Sequence, residues 1–204
     1  MTIFRIPLFL SAVWRRRVWR INDVNGAIYL TFDDGPIPEV TPWVLNQLLE
    51  KDIKATFFCV GENVKKHPEI FQRIISEGHS VGNHSMHHEK GINTEKDKYV
   101  TSVINASQYI QSDLFRPPYG RMTIPQSRSL RKRFRIIMWS WLTYDFDPLV
   151  PVDYILEKAR KEIRSGDVIV LHDNVKSFDR IQLILPELIT ILQQKGLKFL
   201  PIKN

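Results

Sequence analysis

A chain of 204 residues with 43% hydrophobic and 25% charged side chains is long enough to bury a sizeable core as one domain, and too apolar for a disordered segment. No apolar run approaches the roughly eighteen residues of a membrane-spanning helix, and the lone Cys59 excludes an internal disulfide. The formal charge of +7 admits a nucleic acid, a lipid surface or an acidic glycan, but the basic runs WRRRVWR and RSLRKRFR carry no nucleic-acid motif, so no nucleic-acid partner is expected.

Residues 1–24 read as a lead-in to a single domain over 25–204. The short apolar stretch Ile6 to Val13 is followed by Arg15, Arg16 and Arg17 and shows no small-residue cleavage site, which is the wrong order for a signal peptide. Two readings stand: an amphipathic segment packed on the domain, or a peripheral membrane-surface anchor with Trp14 and Trp19 at headgroup depth. With no clear signal or spanning segment, a cytoplasmic or membrane-peripheral protein is expected, the compartment itself being unassigned.

From residue 27 onward, strands alternate with helices. AIYLTF (27–32) is a strand, followed by a helix whose N-cap and first position are expected at Thr41 and Pro42. KATFFCV (54–60) is the second strand, with Cys59 a buried small hydrophobe, and a helix covers 62–77. HSVGN (79–83) is the third strand, a helix spans 94–111, and LFRPPYG carries the fourth strand. Then come a helix near 124–132, a strand over 134–141, a helix near 152–164, a strand over 167–171, a helix near 179–195 and a strand over 197–202. About seven near-continuous apolar strands, each followed by a helix, predict an α/β fold with a parallel sheet, closed into a barrel more economically than left open. Chemistry then belongs beyond the C-terminal strand ends.

Polar residues do cluster there. The pair Asp33-Asp34 ends the first strand, and two adjacent carboxylates resist burial unless a cation lies beside them. His84 and His88, four apart in NHSMHH, would share one face of a short helical turn and, with one of the aspartates, make a three-ligand divalent metal site with an open position. His87 would replace His88 only if that turn were not helical. The other aspartate then serves as general base for water, and Gly35-Pro36 turns the chain so that both carboxylates serve one site. Arg116 in FRPPYG is the natural partner of the free aspartate, while Tyr119 and Gly120 bring a backbone N–H near an oxyanion. His172 in VIVLHDN is placed as general acid if a carboxylate keeps it protonated; Asp145 and Asp173 are both candidates.

These residues resemble the polysaccharide deacetylase family, the NodB-homology or family 4 carbohydrate esterases. The likeness spans about residues 25–202 through TFDDGP, HSMHH, RPPYG, WSWLTYDF and VLHD, in that order. It implies a distorted, incomplete (β/α) barrel that binds a divalent metal, commonly zinc, and removes N-acetyl or sometimes O-acetyl groups from sugars. By resemblance, Asp33 is the base, Asp34, His84 and His88 are the metal ligands, Arg116 orients Asp33, His172 is the acid tuned by Asp145, and the Tyr119 amide faces the oxyanion. Trp139, Phe146 and Val170 would line the substrate pocket; the family usually has Trp and Leu where Phe146 and Val170 stand, so the acyl pocket keeps its apolar character and changes its shape.

Zinc is the first expectation, with cobalt, nickel, iron or manganese also compatible with two nitrogens and one oxygen. The expected activity is deacetylation of an amino-sugar glycan such as peptidoglycan or a chitin-type oligosaccharide. The alternatives are a deacylase or amidase acting on a small non-carbohydrate amide or imide, and a catalytically silent glycan-binding module.

Overall fold

The run Ala27–Asp33 forms the central strand β1, buried along its whole length, in a computed structural model that describes residues 3–7, 16–22 and 26–203. Alternation sorts its side chains. Ile28, Leu30 and Phe32 pack in the main core with helix residues, whereas Ala27 and Tyr29 join a separate cluster with Phe58, Leu114, Ile137 and Val168. Asp33 is in phase with the second set, so the pleat itself carries it toward the barrel interior.

After β1 come α1 (Val40–Glu50), β2 (Thr56–Cys59), α2 (Gly61–Lys66), α3 (Pro68–Ser76), β3 (Ser80–Asn83), α4 (Lys96–Ala106) and β4 (Leu114–Phe115). Then follow α5 (Ile124–Leu130), β5 (Arg135–Ile136), β6 (Trp141–Leu142), α6 (Val152–Glu162), β7 (Val168–His172), α7 (Phe178–Gln194) and β8 (Lys198–Phe199). The sheet order is β5-β4-β3-β2-β1-β7-β6, with β8 on the start of β1, and these strand pairings are parallel. The architecture is the expected α/β incomplete barrel. Helix α7 buries Ile181, Ile184, Leu185, Leu188, Ile189, Ile191 and Leu192, each contributing about 1.5–3 kcal/mol of apolar burial.

Several local expectations need correction. The strand expected over 134–141 is two short strands, because the chain changes partner: β5 pairs with β4 and β6 with β7. The intervening residues continue the exchange, Ile137 N–H donating to the Phe115 carbonyl at 2.8 Å and Ser140 N–H to the Val168 carbonyl at 3.0 Å, so one segment links the two sides of the barrel. The helix expected over 62–77 is divided at His67, where Pro68 opens α3. Thr41 is not an N-cap, since α1 begins at Val40; its hydroxyl instead accepts from Ile37 N–H at 2.8 Å and donates to Asp173 Oδ2 at 2.6 Å. Cys59 is buried, as expected.

The described part of the lead-in is packed on the barrel. Val18 bridges Ile137 in parallel, and Arg5 and Arg20 form antiparallel bridges with Trp141 and Asp167. The fully buried Asp167 carboxylate pairs with Arg5 at 2.7 Å and Arg20 at 3.2 Å, and accepts from the Ser140 hydroxyl at 2.8 Å. Arg17 is buried, and Trp19 packs against the cluster of Phe115, Phe134 and Met138. These groups are turned inward, so the membrane-surface reading is not supported; Trp14 and Arg15 lie outside the described residues. No helix among the described residues is long and apolar enough to cross a membrane.

Candidate active site

The strand ends converge on one cavity of about 560 Å³ whose lining includes Asp33, Asp34, His84, His88, Tyr119, Trp139, Phe146, Val170 and His172. Arg116 and Asp145 stand fully buried behind it. Every site residue singled out in the sequence therefore lies in this cavity or directly supports a residue that does.

Asp34 follows β1 in the strand phase that would point away from the interior, yet its φ of 92° turns the carboxylate back toward the site. The Asn63 side-chain amide holds this unusual backbone by donating to the Asp34 carbonyl at 2.8 Å. Gly35 is required next, since a Cβ there would stand 2.0 Å from Asp173 Oδ2. Asp173 instead accepts from Gly35 N–H at 3.0 Å and Thr41 at 2.6 Å. That assigns Asp173 to clamping the turn; burial pushes its carboxyl up to about 8.

The segment from His84 to His88 is not the expected helical turn. It is a bend in which Ser85 and His88 take φ values of 64° and 57°. His88 nonetheless faces Asp34, its Nε2 being 3.0 Å from Oδ1, while His87 turns outward to Glu62 at 3.1 Å. His84 Nε2 is 3.6 Å from the same Asp34 oxygen. The bend, rather than helical periodicity, selects the pair.

These three donors fit a divalent cation. One ligand atom from each of Asp34, His84 and His88 lies within 4.8 Å of the others. Asp34 Oδ1 is buried and accepts no well-aligned hydrogen bond, as expected of an oxygen reserved for a cation. His84 Nδ1 is 2.8 Å from the Arg116 carbonyl, which only accepts, so Nδ1 carries the proton and Nε2 presents its lone pair. Burial pushes the His84 imidazole down to about 4 despite Asp33, leaving it neutral and able to ligate. Burial alone would push the Asp34 carboxyl up, but the neighbouring His88 and the charges of His172 and His84 outweigh it and hold the carboxyl well below the usual range.

Arg116 joins the two halves of the site. Its guanidinium donates to Asp33 Oδ1 at 2.6 Å and Thr31 Oγ1 at 2.7 Å, and to the Ile137 and Met138 carbonyls at 3.3 and 3.0 Å. Those carbonyls belong to the segment that links β5 to β6, so the residue that orients Asp33 also ties down that link. The Phe58 ring lies 4.0 Å beneath its guanidinium.

On the other side, His172 Nδ1 is 2.9 Å from Asp145 Oδ1, and His172 N–H donates to Asp145 Oδ2 at 2.7 Å. The Thr143 hydroxyl sits 2.8 Å from Asp145 Oδ1. Of the two carboxylates left open by the sequence, Asp145 is thus the one that holds the imidazole. Burial opposes charge on His172, but Asp145, with Asp34 and Asp33, prevails and pushes it up to about 9.

Tyr119 has a φ of 59°, and its ring packs 4.7 Å from that of His88. Gly120 follows with φ +66°, where a Cβ would meet Trp139 at 2.4 Å. Phe146 meets the His172 ring edge-on at 5.2 Å. Sequence reasoning missed Asn174, whose side-chain amide donates to Asp34 Oδ2 at 2.6 Å while its oxygen accepts from Ser177 N–H at 2.9 Å. The signal was its place two residues after His172, but one asparagine in a loop says nothing of its partner until β7 is set beside β1. It also missed Lys90, Arg121, Leu142 and Lys176 in the cavity lining.

Residues 21–133 match the family model for polysaccharide deacetylase. The chain is 29% identical over 193 residues to a peptidoglycan-N-acetylglucosamine deacetylase of Bacillus cereus, with 91% of each chain covered. It is 34% identical to a chitooligosaccharide deacetylase of Bradyrhizobium, covering 99% of this chain and 98% of that one. Its fold superposes with a TM-score of 0.82 on a crystal structure of a peptidoglycan N-acetylglucosamine deacetylase in complex with 4-naphthalen-1-yl-N-oxidanyl-benzamide, at 30% identity, covering 97% and 95% of the two chains. The chain belongs to the polysaccharide deacetylase family, the NodB-homology family 4 of carbohydrate esterases.

Proposed function

We propose that the protein is a metal-dependent hydrolase that removes N-acetyl groups from an amino-sugar glycan of the peptidoglycan or chitin type. The observation that carries this reading is the meeting, in one cavity, of the Asp34, His84 and His88 donors with the Asp33–Arg116 and His172–Asp145 pairs. Asp34, His84 and His88 would hold a divalent ion, zinc being the best match to two nitrogens and one oxygen, and that ion would supply Lewis acidity at the site.

The chain's own groups do the rest. Asp33, aimed by Arg116, takes a proton from the attacking water. The Tyr119 backbone N–H stabilises the tetrahedral oxyanion. His172, kept protonated by Asp145, gives its proton to the departing amine nitrogen, which cannot leave as an anion. Trp139, Phe146 and Val170 receive the acetyl methyl and exclude water around it.

The presence of ligands, base, acid and both orienting partners supports catalysis over silent glycan binding. The test is acetate release from chitin oligomers and peptidoglycan fragments by zinc-loaded protein, beside Asp33→Asn and a chelator control. Release abolished by both controls is the expected result. Turnover of small cyclic amides, with no acetate from any amino-sugar polymer, would move the assignment to a small-amide deacylase.

A further inference from the structure

We propose that the natural glycan carries an anionic substituent, a carboxylate or a phosphate, near the acetylated sugar, and that Lys90, Arg121 and Lys176 bind it. The proposal rests on the reading of this site as a glycan deacetylase and names the substrate class more narrowly. All three cations line the cavity, and they come from three separate strand-end loops, after β3, β4 and β7. None of them forms an ion pair among the described residues.

The site's own carboxylates do not answer this charge. Asp33 and Asp34 are the carboxylates in the cavity lining; Asp33 is engaged by Arg116 at 2.6 Å, and Asp34 by Asn174 at 2.6 Å and the two ligand imidazoles. An N-acetylated sugar is neutral, so a simple chitin-type chain offers the three cations no counter-charge.

Two of the cations are also placed against rings that form the site's walls. Lys90 Nζ is 5.6 Å from the centre of the Tyr119 ring, which packs on His88. Lys176 Nζ is 5.8 Å from the Phe146 ring, which packs on His172. Positive charge thus flanks the metal-ligand side and the His172 side alike, one aromatic ring away from each. Cations without ion-pair partners above low-dielectric walls concentrate an oppositely charged substrate.

The test compares three oligosaccharides of equal length: neutral N-acetylchitotetraose, a counterpart with a carboxylate-bearing ether on alternate sugars, and a counterpart ending in a phosphate. The readout is the ratio of kcat/KM for each anionic substrate to that for the neutral one, in the wild type and in the triple variant K90Q/R121Q/K176Q. The wild type should favour at least one anionic substrate by on the order of tenfold, and the preference should shrink with added salt. The substrate favoured tells carboxylate from phosphate. In the triple variant the ratio should fall toward one. A ratio that the variant leaves unchanged, or a wild-type preference for the neutral chain, would overturn the proposal. The three single Lys/Arg→Gln variants serve if the triple one melts early. If no substrate releases acetate, the deacetylase reading fails by itself, and calorimetric titration of the same oligosaccharides decides the rim: anion-selective binding lost in the triple variant supports it, and equal binding of all three overturns it.

Discussion

Asn174 donates its side-chain N–H to Asp34 Oδ2 at 2.6 Å, leaving Oδ1 of the same carboxylate as the atom that faces His84 and His88. The asparagine is itself locked, because its oxygen caps the short turn at Ser177. Groups that orient a ligand tune a metal site nearly as strongly as the ligand itself. Asn174→Ala should weaken zinc binding by about 10–100-fold, while loss of the cap at Ser177 costs only about 1 kcal/mol of stability. Competition with a chromophoric chelator measures this; unaltered affinity would show that Asn174 serves only the turn.

The outward turn of His87 separates it from its neighbours in sequence. His87→Ala should bind zinc like the wild type, since the side chain is 58% exposed and turned to Glu62. His88→Ala should lose most of the affinity, because it deletes one of three ligand atoms. Equal losses in the two variants, by the same competition assay, would contradict the bend as the element that chooses the ligand.

Replacing Asp33 with Asn keeps a near-isosteric group beside Arg116 and removes the proton acceptor. The kcat should fall by about 10²–10⁴-fold while zinc remains bound. A variant that kept wild-type turnover would place the base elsewhere.

The His172–Asp145 contact sets the alkaline side of the pH profile. His172 is pushed up to about 9 from 6.5, against burial, by Asp145, with smaller help from Asp34 and Asp33. In the proposed mechanism the active form is the protonated one, so kcat should fall as pH rises through the value for this imidazole. A cation on Asp34 would cancel part of that help and so bring the limb below the value of the metal-free protein. Asp145→Asn should lower the limb by at least about one unit along with the maximal rate, given the strength of a charge-assisted imidazolium–carboxylate pair. A pH profile that does not move would detach Asp145 from the acid.

At the other end of the barrel, Asp167 holds the lead-in through Arg5 and Arg20, whose side chains are 24% and 28% exposed. Partial exposure weakens each pair, so Asp167→Ala should cost about 2 kcal/mol, a Tm drop of roughly 4–8 °C in calorimetry. Burial alone would push the Asp167 carboxyl up, but hydrogen bonds from Arg5 and the Arg164 N–H bring it below the usual range. Its contribution is therefore present above the unfolded carboxylate pKa and disappears as pH falls through the depressed value. An unchanged Tm near neutral pH would mean that the lead-in adds nothing to stability.

Much of this molecule was legible before its structure. Apolar runs alternating with helical periodicity announced the parallel α/β sheet, because a strand buried on both faces must be apolar nearly throughout. The polar residues that interrupt those runs at their C-terminal ends pointed to the cavity that they line or back: Asp33, Asp34, His84, His88, Arg116, Asp145 and His172 are groups that a chain does not bury without partners.

Their partners were decided by tertiary structure. That Asp145 rather than Asp173 holds His172, that His88 rather than His87 faces Asp34, and that 134–141 divides to link β4 with β7 all depend on which strand ends lie side by side. Local pattern encodes which face of its own element a residue occupies. Side-chain pairing across the barrel depends on backbone turns such as the positive φ of Asp34 and His88, and on Asn174 standing next to a strand 140 positions earlier in the chain.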